Sequence, residues 1–385
     1  MPKKTMSRRE RVLTTLDHRE PDRVPMSMTI TIDAYNELKK YMGIVLDETP
    51  KVGRWTDVAI HPVVADKFGL DCLRVDMGSP RKRPKSSDPA ISIDEWGVEW
   101  KKVLLPEGGF YYEQYKHPLE NASVQDLEDY PWPDPYDEGL IDGVEQKFKD
   151  LYENTDFAIM TKIGGAVFEL ATYMVGMQTW YTRLADDPEF CYRVMEKIAD
   201  IQAKVDAFGL AVVGKYVDVL RLSGEDMGTQ QAPLISVKMF NRLVRPNLEK
   251  VWTVAKRELT SRNPRAKIML HSCGSVRPFM KEWADMGLDA LDPIQPRAHN
   301  MDTALIKAEV GDRLSFHGGI DIQQVLPFGT REDVFAEVRQ RIKDLAPGGG
   351  YIVAPAHNVQ KDVPPQNLIA MRDAVEEYGH YPINL

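Results

Sequence analysis

The sequence has few cysteines and no long apolar run. Only Cys72, Cys191 and Cys273 occur in 385 residues, and they stand far apart, so they do not form the disulfide framework of a small secreted protein. Cys191 falls within a predicted helix and Cys72 at the start of an apolar run, which is typical of core residues. No segment approaches the 18 apolar residues of a membrane helix, and no signal-peptide core follows the basic start MPKKTMSRRER. We therefore expect a reduced, cytoplasmic protein that does not act in a membrane.

An excess of basic charge is also lacking. The chain has 49 basic and 58 acidic residues and a formal net charge of −9, which disfavours nucleic acid and anionic membranes as partners. Apolar residues make up 43% of the chain, enough for a sizeable core. The length suits one large α/β barrel or two ordinary domains.

Short apolar, β-rich runs recur along the chain, and most are followed by a segment with helical periodicity. The eight runs are RVPMSMTI (23–30), LDCLRVDM (70–77), FAIMTKIGG (157–165), VDVLRLSGED (217–226), KIMLHSCG (267–274), LDALDPIQP (288–296), RLSFHGGID (313–321) and GYIVAPAHN (350–358). The clearest helices are predicted at 186–209, at 236–259 with a kink near Pro246, and at 330–350. Strand and helix alternating eight times indicate parallel strands joined by right-handed crossovers. We predict an α/β TIM (β/α)8 barrel, with residues 1–385 as a single domain.

Residues 85–135 interrupt this alternation. The stretch ISIDEWGVEWKKVLLPEGGFYYEQYKHPL contains two or three strand-like pieces around a Gly-Gly turn, and the proline-rich YPWPDPYDE follows it. This pattern predicts a β-hairpin insertion after the second strand, over one mouth of the barrel. The insertion is either a structural flap or also part of a substrate pocket.

The functional residues of a TIM barrel lie at the carboxyl ends of its strands. The polar residues at those ends are Asp76, Lys162, Glu225, Asp226, His271, Cys273, Gln295, His317, Asp321, His357 and Asn358. His271 and Cys273 are two residues apart on an extended segment, so their side chains point to the same face, and His357 follows the eighth run. Two imidazoles and one thiolate with an open fourth position suit catalytic zinc. His-x-Cys alone is weak evidence, but its position after a strand and before Gly274, which allows a turn, strengthens it.

Five other residues complete the predicted site. Glu225 is either a catalytic carboxylate, within reach of the metal as a fourth ligand, or the cap of the next turn. His317 is a wall or hydrogen-bonding residue that Asp321 could orient. Gly318 and Gly319 could let a backbone segment approach a bound cofactor closely.

Several segments resemble the uroporphyrinogen decarboxylase superfamily over nearly the whole length of the chain. They are MSRRERVLTTLDHREPDRVPM (6–26), IGGAVFELATYMVGMQTW (163–180), GEDMGTQQAPLISVKMF (224–240), HSCGSVRPFMKEWADMGLDALDPIQP (271–296) and FHGGIDIQQVLPFGT (316–330). Within the superfamily, the chain is similar to the corrinoid-dependent methyltransferase branch, in which zinc is held by His-x-Cys and a later third ligand. That ligand is a cysteine in the coenzyme M methyltransferases, in a segment like YIVAPAHN, where this chain has His357. The resemblance implies zinc, a corrinoid (cobalamin) cofactor and a homodimer.

One departure from the family pattern concerns the substrate. True uroporphyrinogen decarboxylases have an arginine-rich motif, roughly W-x-M-R-Q-A-G-R, for a porphyrinogen that carries eight carboxylates. This chain reads TITIDAYNELKKYMG after its first run. Cofactor-free decarboxylation is therefore the alternative function, and its one support is the basic RKRPK (81–85), which is more typical of a solvated loop.

The change from Cys to His at position 357 alters the charge of a zinc site. Zinc with two thiolates and one histidine is formally neutral, whereas His271, Cys273 and His357 leave a formal charge of +1 and a stronger Lewis acid. A neutral site suits a nucleophilic thiolate substrate, and a positive site suits an ether oxygen that must leave. This favours O-demethylation of a methoxylated compound by a corrinoid nucleophile. Hydrogen bonds to the sulfur or a fourth carboxylate could cancel the difference, so a methylcobamide:thiol methyltransferase is a further alternative.

The corrinoid must come from elsewhere in this interpretation. The sequence has no D-x-H-x-x-G loop of the kind that marks corrinoid-binding domains. We therefore expect a separate corrinoid protein or the free cofactor to meet an open, partly apolar rim of the barrel. A non-catalytic corrinoid-binding scaffold is a third class, and the sequence does not identify the methyl donor or acceptor.

Overall fold

A computed structural model describes residues 6–104 and 110–385. The strands are β1 Ile30–Thr31, β2 Asp57–Val58, β3 Cys72–Arg74, β4 Ile91–Ile93, β5 Glu99–Leu104, β6 Phe110–Lys116, β7 Ala158–Thr161, β8 Val219–Gly224, β9 Lys267–His271, β10 Ala290–Ile294, β11 Ser315–Ile320 and β12 Tyr351–Pro355. The helices are α1 Arg8–Leu16, α2 Ile32–Tyr41, α3 Pro62–Phe68, α4 Asp126–Asp129, α5 Val144–Asn154, α6 Phe168–Val175, α7 Met177–Asp186, α8 Pro188–Val213, α9 Val237–Met239, α10 Arg245–Thr260, α11 Met280–Asp285, α12 Thr303–Val310, α13 Val325–Phe328, α14 Arg331–Leu345 and α15 Pro365–Tyr378. The predicted Gly-Gly turn at 108–109 lies outside the described residues.

Seven parallel strands form one curved sheet in the order β12-β11-β10-β9-β8-β7-β3. Each lies in one of the predicted runs, from the second to the eighth. The first run closes the ring: Ser27 N donates to Val353 O of β12 at 2.9 Å, and Asp71 N, just before β3, donates to Met26 O at 2.8 Å. The predicted TIM barrel is therefore confirmed. Its first run is joined to its neighbours by hydrogen-bonded bridges and not by a long ladder.

The amino ends of the barrel strands, which we call the lower end, are covered by α1. Val12 and Leu16 of α1 pack on one cluster of inward-facing strand residues, which comprises Cys72, Ala158, Met160, Val219, Met269, Ala290 and Ile352. Cys72 and Cys191 are both buried, as predicted for core residues. The lower end of the barrel is therefore packed core, and the carboxyl ends, the upper end, remain for ligands.

The predicted helices are present with shifted bounds. Thr330 and Asp333 form a capping box at the start of α14. The helix predicted at 236–259 is interrupted by a π-helical turn at Phe240–Val244, and α10 then begins with Pro246 in its first turn, where the missing N–H of proline costs no hydrogen bond. In the described parts of the chain, no helix combines the length and apolarity needed to cross a bilayer.

The predicted insertion is a three-stranded antiparallel sheet in the order β4-β5-β6. Trp100 of β5 is 1% exposed, and its Nε1 donates to Asp94 Oδ2 at 2.8 Å. Trp96 and Tyr112 line the cavity at the upper end of the barrel. The insertion therefore contributes to a pocket wall and is more than a flap.

Candidate metal centre

The upper end of the barrel opens into a cavity of about 1340 Å³. Its wall combines strand ends, the insertion and the loop at 51–57. The volume exceeds the roughly 300–1,000 Å³ of common small-molecule pockets. Among the described residues that line it, eleven are acidic and seven are basic. The cavity thus has room for more than one small molecule and is rich in carboxylates.

His271 and His357 line this cavity, and Cys273 lies beside them. One ligand atom from each lies within 4.8 Å of the other two. Cys273 Sγ is 3.4 Å from His271 Nε2, and the two imidazole centroids are 6.2 Å apart. Gly274 follows with a φ of 85°, and a side chain there would lie 2.5 Å from Gly228 O. The glycine therefore allows the turn that brings Cys273 beside His271.

Asp292 sets the orientation of His271. The ladder between β9 and β10 pairs these two residues, and His271 Nδ1 lies 2.9 Å from Asp292 Oδ2. A hydrogen on Nδ1 leaves the lone pair of Nε2 free for a metal ion. Arg221 Nη2 also lies 2.6 Å from this Nδ1. Because both nitrogens are donors when Nδ1 carries its hydrogen, this contact is then not a hydrogen bond. Asp292 Oδ2 accepts from both, with Arg221 Nη2 at 2.6 Å.

Asp292 also holds His317. His317 is 4% exposed, and its Nδ1 lies 2.7 Å from Asp292 Oδ1. His317 Nε2 is buried without a partner among the described residues. Burial raises the pKa of the Asp292 carboxyl, but the charges of Arg221 and His317 outweigh this effect and keep the pKa well below its usual range. Asp292 is therefore an ionised carboxylate that anchors two imidazoles.

Asp321 does not orient His317, contrary to the prediction. Asp321 Oδ2 accepts from Arg297 Nε at 2.6 Å, and Oδ1 accepts from the backbone N–H of Gln323 at 2.7 Å. Its carboxylate therefore fixes the turn after β11. The partner of His317 is Asp292 of β10 instead. The separation of the two residues in the sequence does not predict that pairing.

Glu225 caps a helix and is not positioned as a fourth ligand. Its Oε1 accepts from Val167 N at 2.5 Å and its Oε2 from Phe168 N at 2.8 Å, at the first turn of α6. The register between β8 and β9 shifts between Leu222 and Gly224. One extra residue reverses the inward and outward alternation of a strand, which turns Glu225 toward α6.

Asp226 faces the cavity in place of Glu225. Its Oδ1 is 3.7 Å from His271 Nε2 and accepts from Cys273 N at 2.8 Å. Asp226 thus supports the turn that carries Cys273, and it is the carboxylate nearest to the proposed ligand atoms among these contacts.

Gly318 and Gly319 have φ values of 107° and 88°, but the space that they leave is filled by the protein itself. A Cβ on Gly318 would lie 3.0 Å from Ile294 N, and a Cβ on Gly319 would lie 2.8 Å from the hydroxyl of Tyr351. The glycines therefore permit close packing of β10, β11 and β12. They do not form a cofactor surface, contrary to the prediction.

The remaining strand-end residues divide into two groups. Asp76, Lys162 and Asn358 line the cavity. Gln295 supports the turn after β9, because its Oε1 accepts from Gly274 N at 2.8 Å.

The cavity residues that the strand-end rule missed include Glu169, Tyr173, Arg221 and Asp292. Glu169 and Tyr173 lie on α6, outside any strand end, and the Tyr173 hydroxyl donates to Glu169 Oε1. Burial raises the pKa of Glu169, and the charge of Asp226 adds to the shift. Arg221 and Asp292 lie inside apolar runs, and a charge in such a run was a signal that could have identified them.

Comparison with known proteins places the chain in a family. The family model for uroporphyrinogen decarboxylase (URO-D) matches residues 112–378. A uroporphyrinogen decarboxylase of Alkalilimnicola ehrlichii is 25% identical over 382 residues, which cover 96% of this chain and 93% of that protein. A methylated-thiol–coenzyme M methyltransferase of Methanosarcina mazei is 24% identical over 265 residues, which cover 68% of this chain and 65% of that protein.

A solved structure has the same fold. A methyltransferase from Methanosarcina mazei superposes with a TM-score of 0.62 over 97% of this chain and 99% of that chain, at 19% sequence identity. This likeness extends to the barrel as a whole. With the match of the family model, these findings show that the chain belongs to the uroporphyrinogen decarboxylase family.

Proposed function

We propose that the protein is a zinc-dependent methyltransferase that moves a methyl group from a small methoxylated compound to a corrinoid. The observation that carries the proposal is the convergence of His271, Cys273 and His357 within 4.8 Å, with both histidines on the wall of a large cavity. The similarity to a methylated-thiol–coenzyme M methyltransferase supports the same reaction class.

The three side chains fit zinc. Two imidazole nitrogens and one thiolate leave a fourth position for a substrate atom. Asp292 accepts a hydrogen bond from His271 Nδ1, so Nε2, which lies 3.4 Å from Cys273 Sγ, is the ring nitrogen available to zinc. Burial raises the pKa of the Cys273 thiol although His271 opposes the shift, and a bound cation stabilises the thiolate form.

The chain's own groups prepare the site for this chemistry. Bound zinc would supply Lewis acidity to the ether oxygen, and the corrinoid, carried by a separate protein or free, would accept the methyl group. Asp292 and Arg221 keep His271 in place and neutralise each other. Asp226 accepts from the backbone N–H of Cys273 and so supports that ligand. With His357 as the third donor, one thiolate and two neutral imidazoles give the zinc centre a formal charge of +1.

The charges of the cavity weigh against decarboxylation of a porphyrinogen. A substrate with eight carboxylates needs a surplus of free cations, but the described cavity residues include more acids than bases. Arg74 pairs with Asp57, and Arg221 pairs with Asp292.

The basic stretch RKRPK does not supply the missing cations either. Arg81 is bound by Glu138 and Asp142, and Lys82 by Asp134. This stretch is therefore an exposed loop with acidic partners, as its sequence suggested.

Elemental analysis tests the proposal most directly. We expect about one zinc per chain in the parent, as for a three-ligand catalytic site, and loss of zinc in His271→Ala and in Cys273→Ala. His380→Ala is the control, because His380 is exposed near the end of the chain. Zinc well below one per chain in the parent, or zinc that both site variants retain, would contradict the proposal.

A substrate panel then tests the reaction. Methoxyarenes, methylamines, methanol and methylated thiols are each supplied with a reduced corrinoid, and methylation is followed by corrinoid absorbance. Methyl transfer from a methoxyarene is the expected result. Transfer from thiols alone would reverse the assignment to ethers, and metal-free turnover of uroporphyrinogen would support the decarboxylase instead.

A further inference from the structure

Lys162 is a cavity residue that no carboxylate of the described chain contacts directly. It follows β7 directly, and its side chain is open to the cavity. Within 6–104 and 110–385, its ammonium group makes neither a hydrogen bond nor an ion pair. An ammonium group that faces a cavity without an ion pair is available to an anionic ligand. The site is therefore suited to an anionic ligand.

Other cations near Lys162 are already neutralised. Burial lowers the pKa of Lys162, and the charges of Arg221 and Arg74 lower it further, while the charges of Asp57 and Glu169 oppose the shift without cancelling it. Arg221 is paired with Asp292, and Arg74 is paired with Asp57. Both guanidinium groups therefore already have a carboxylate partner. Lys162 is the cation in this group that can still accept an anion.

Lys162 and the metal-binding residues face the same space. Lys162, His271 and His357 line the same cavity, and Arg221 of β8 stands between β7 and β9. Arg221 Nη2 is 2.6 Å from His271 Nδ1, and the charge of Arg221 also acts on Lys162. A ligand whose anion lies at Lys162 therefore occupies the same cavity as the proposed zinc position.

Aromatic rings form another wall of this cavity. Trp55 is 49% exposed, and its ring centroid lies 5.6 Å from that of Trp100 with the ring planes perpendicular. Tyr173 packs against Trp100 at 5.5 Å. Edge-to-face clusters of this kind also accept further flat rings. The wall thus suits a flat apolar ligand rather than an extended polar one.

We infer that the substrate is a small aromatic compound with an anionic group, and that Lys162 binds the anion while Trp55 contacts the ring. The identification of this ligand as the methyl donor rests on the proposed function. The anion-binding role of Lys162 does not.

Calorimetric binding of three probes tests the inference: benzoate, its neutral analogue benzamide, and acetate, which lacks the ring. We expect benzoate to bind the parent more tightly than either of the others. Lys162→Met should weaken benzoate binding by about tenfold to a hundredfold, the range of a charge-assisted hydrogen bond, and should leave benzamide binding unchanged. Lys162→Arg should retain part of the benzoate affinity. Trp55→Leu should reduce the preference for benzoate over acetate.

Two controls make the result specific. Lys82→Met removes a cavity lysine that is already paired with Asp134, and it should bind benzoate like the parent. The same titrations are made after removal of metal with a chelator, because a carboxylate could bind zinc directly. Benzoate binding that disappears with the metal, or that Lys162→Met leaves intact, would overturn the role of Lys162.

Zinc analysis of the same samples separates this inference from the proposed function. Lys162→Met should contain as much zinc as the parent. A parent without zinc whose benzoate binding still depends on Lys162 would refute the methyltransferase and leave the anion site standing. If the parent contains zinc and Lys162→Met binds benzoate as tightly as the parent, only the anion site is refuted.

Discussion

The two ends of the barrel differ in how their acidic and basic side chains are partnered. At the lower end, three aspartates stand directly before a strand: Asp71 before β3, Asp218 before β8 and Asp289 before β10. The sequence shows them as the related stretches LDCL, VDVL and LDAL. This small internal repeat marks the start of three barrel strands.

Each lower-end aspartate has two kinds of partner. A backbone N–H from the neighbouring strand donates to each, from Met26 to Asp71 at 2.8 Å, from Ile159 to Asp218 at 2.8 Å and from Ile268 to Asp289 at 2.9 Å. Basic side chains complete the set, with Arg11 and Arg23 at Asp71, Arg9 at Asp218 and Lys256 at Asp289. Charge at this end is compensated within the protein and ties adjacent strands together.

Buried polar atoms without a hydrogen bond occur at both ends of the described chain, as at Thr15 Oγ1 and His18 Nδ1 at the lower end. The upper end differs because a lysine and an aspartate oxygen are among its groups that lack partners. Lys162 has no ion pair, and Asp206 Oδ2 and His317 Nε2 have no hydrogen bond. Charged groups that are paired within the protein contribute to the stability of the fold. Polar groups that lack a partner are retained where a ligand can supply one. The contrast separates the part of the barrel that holds the fold from the part that binds.

The largest effect is expected at the lower end. Asp71→Ala leaves Arg11 and Arg23 without their shared carboxylate, and removal of one partner from a buried ion pair costs about 3–5 kcal/mol. Urea unfolding measures the change. Glu196→Ala, which removes a half-exposed ion pair with Arg193, should change the unfolding free energy by less than about 1 kcal/mol. An Asp71→Ala midpoint equal to that of the parent would remove the distinction between the two ends.

The next effect concerns Asp206, a buried upper-end carboxyl with one hydrogen bond, from Gly164 N to Oδ1 at 2.9 Å. Burial raises the pKa of Asp206 to about 7. The folded state therefore holds a proton that the unfolded state releases near pH 4, and the parent loses stability as the pH rises from about 4 to 7. At about 1.4 kcal/mol per pH unit, the loss amounts to roughly 4 kcal/mol at most.

Asp206→Asn should remove this loss, so that its stability relative to the parent increases with pH across that interval. Urea unfolding at pH 5 and pH 8 checks the sign. Asp150→Asn, on the exposed face of α5, should follow the parent at both values. If Asp206→Asn also follows the parent, the carboxyl does not hold a proton in the folded state.

The smallest effect concerns the metal centre itself. His357→Cys should retain zinc, because a thiolate is an equally good donor, but the added negative charge weakens the Lewis acid where charge develops on the leaving oxygen. We expect ether demethylation to slow by about tenfold, which corresponds to about 1.4 kcal/mol.

His357→Ala should lower the zinc affinity as well as the rate. Zinc binding is measured by competition with a chromogenic chelator. An alanine variant that binds zinc as tightly as the parent would show that His357 is not a ligand, and the argument for ether substrates would then fail.

The sequence predicted the barrel well because strand and helix patterns are local. All eight runs occupy positions in the ring, although the first makes only bridges to β12 and β3. The bounds of the helices were predicted less accurately. α8 extends to Val213, beyond the predicted end at 209, because packing stabilises its last turns and the glycine at 209 does not end the helix.

The site was predictable where spacing alone decides it, as for His271 and Cys273. Its supporting contacts depend on strand register, which no local pattern gives. Asp292 meets His271 because the β9–β10 ladder pairs them. Glu225 was misassigned because a bulge in β8 reverses the alternation just before it.

The segment that closes the barrel has a consequence for how the chain folds. Thr31 Oγ1 donates to Val359 O at 3.1 Å, across 328 residues of sequence, and the backbone partner of Ser27 is Val353. Contacts between such distant residues carry a large loop-closure entropy and slow folding. During synthesis the segment at 24–30 emerges early, but its partner on β12 is made hundreds of residues later. Until then one of its edges lacks a strand to pair with, and an unpaired edge is a site for aggregation.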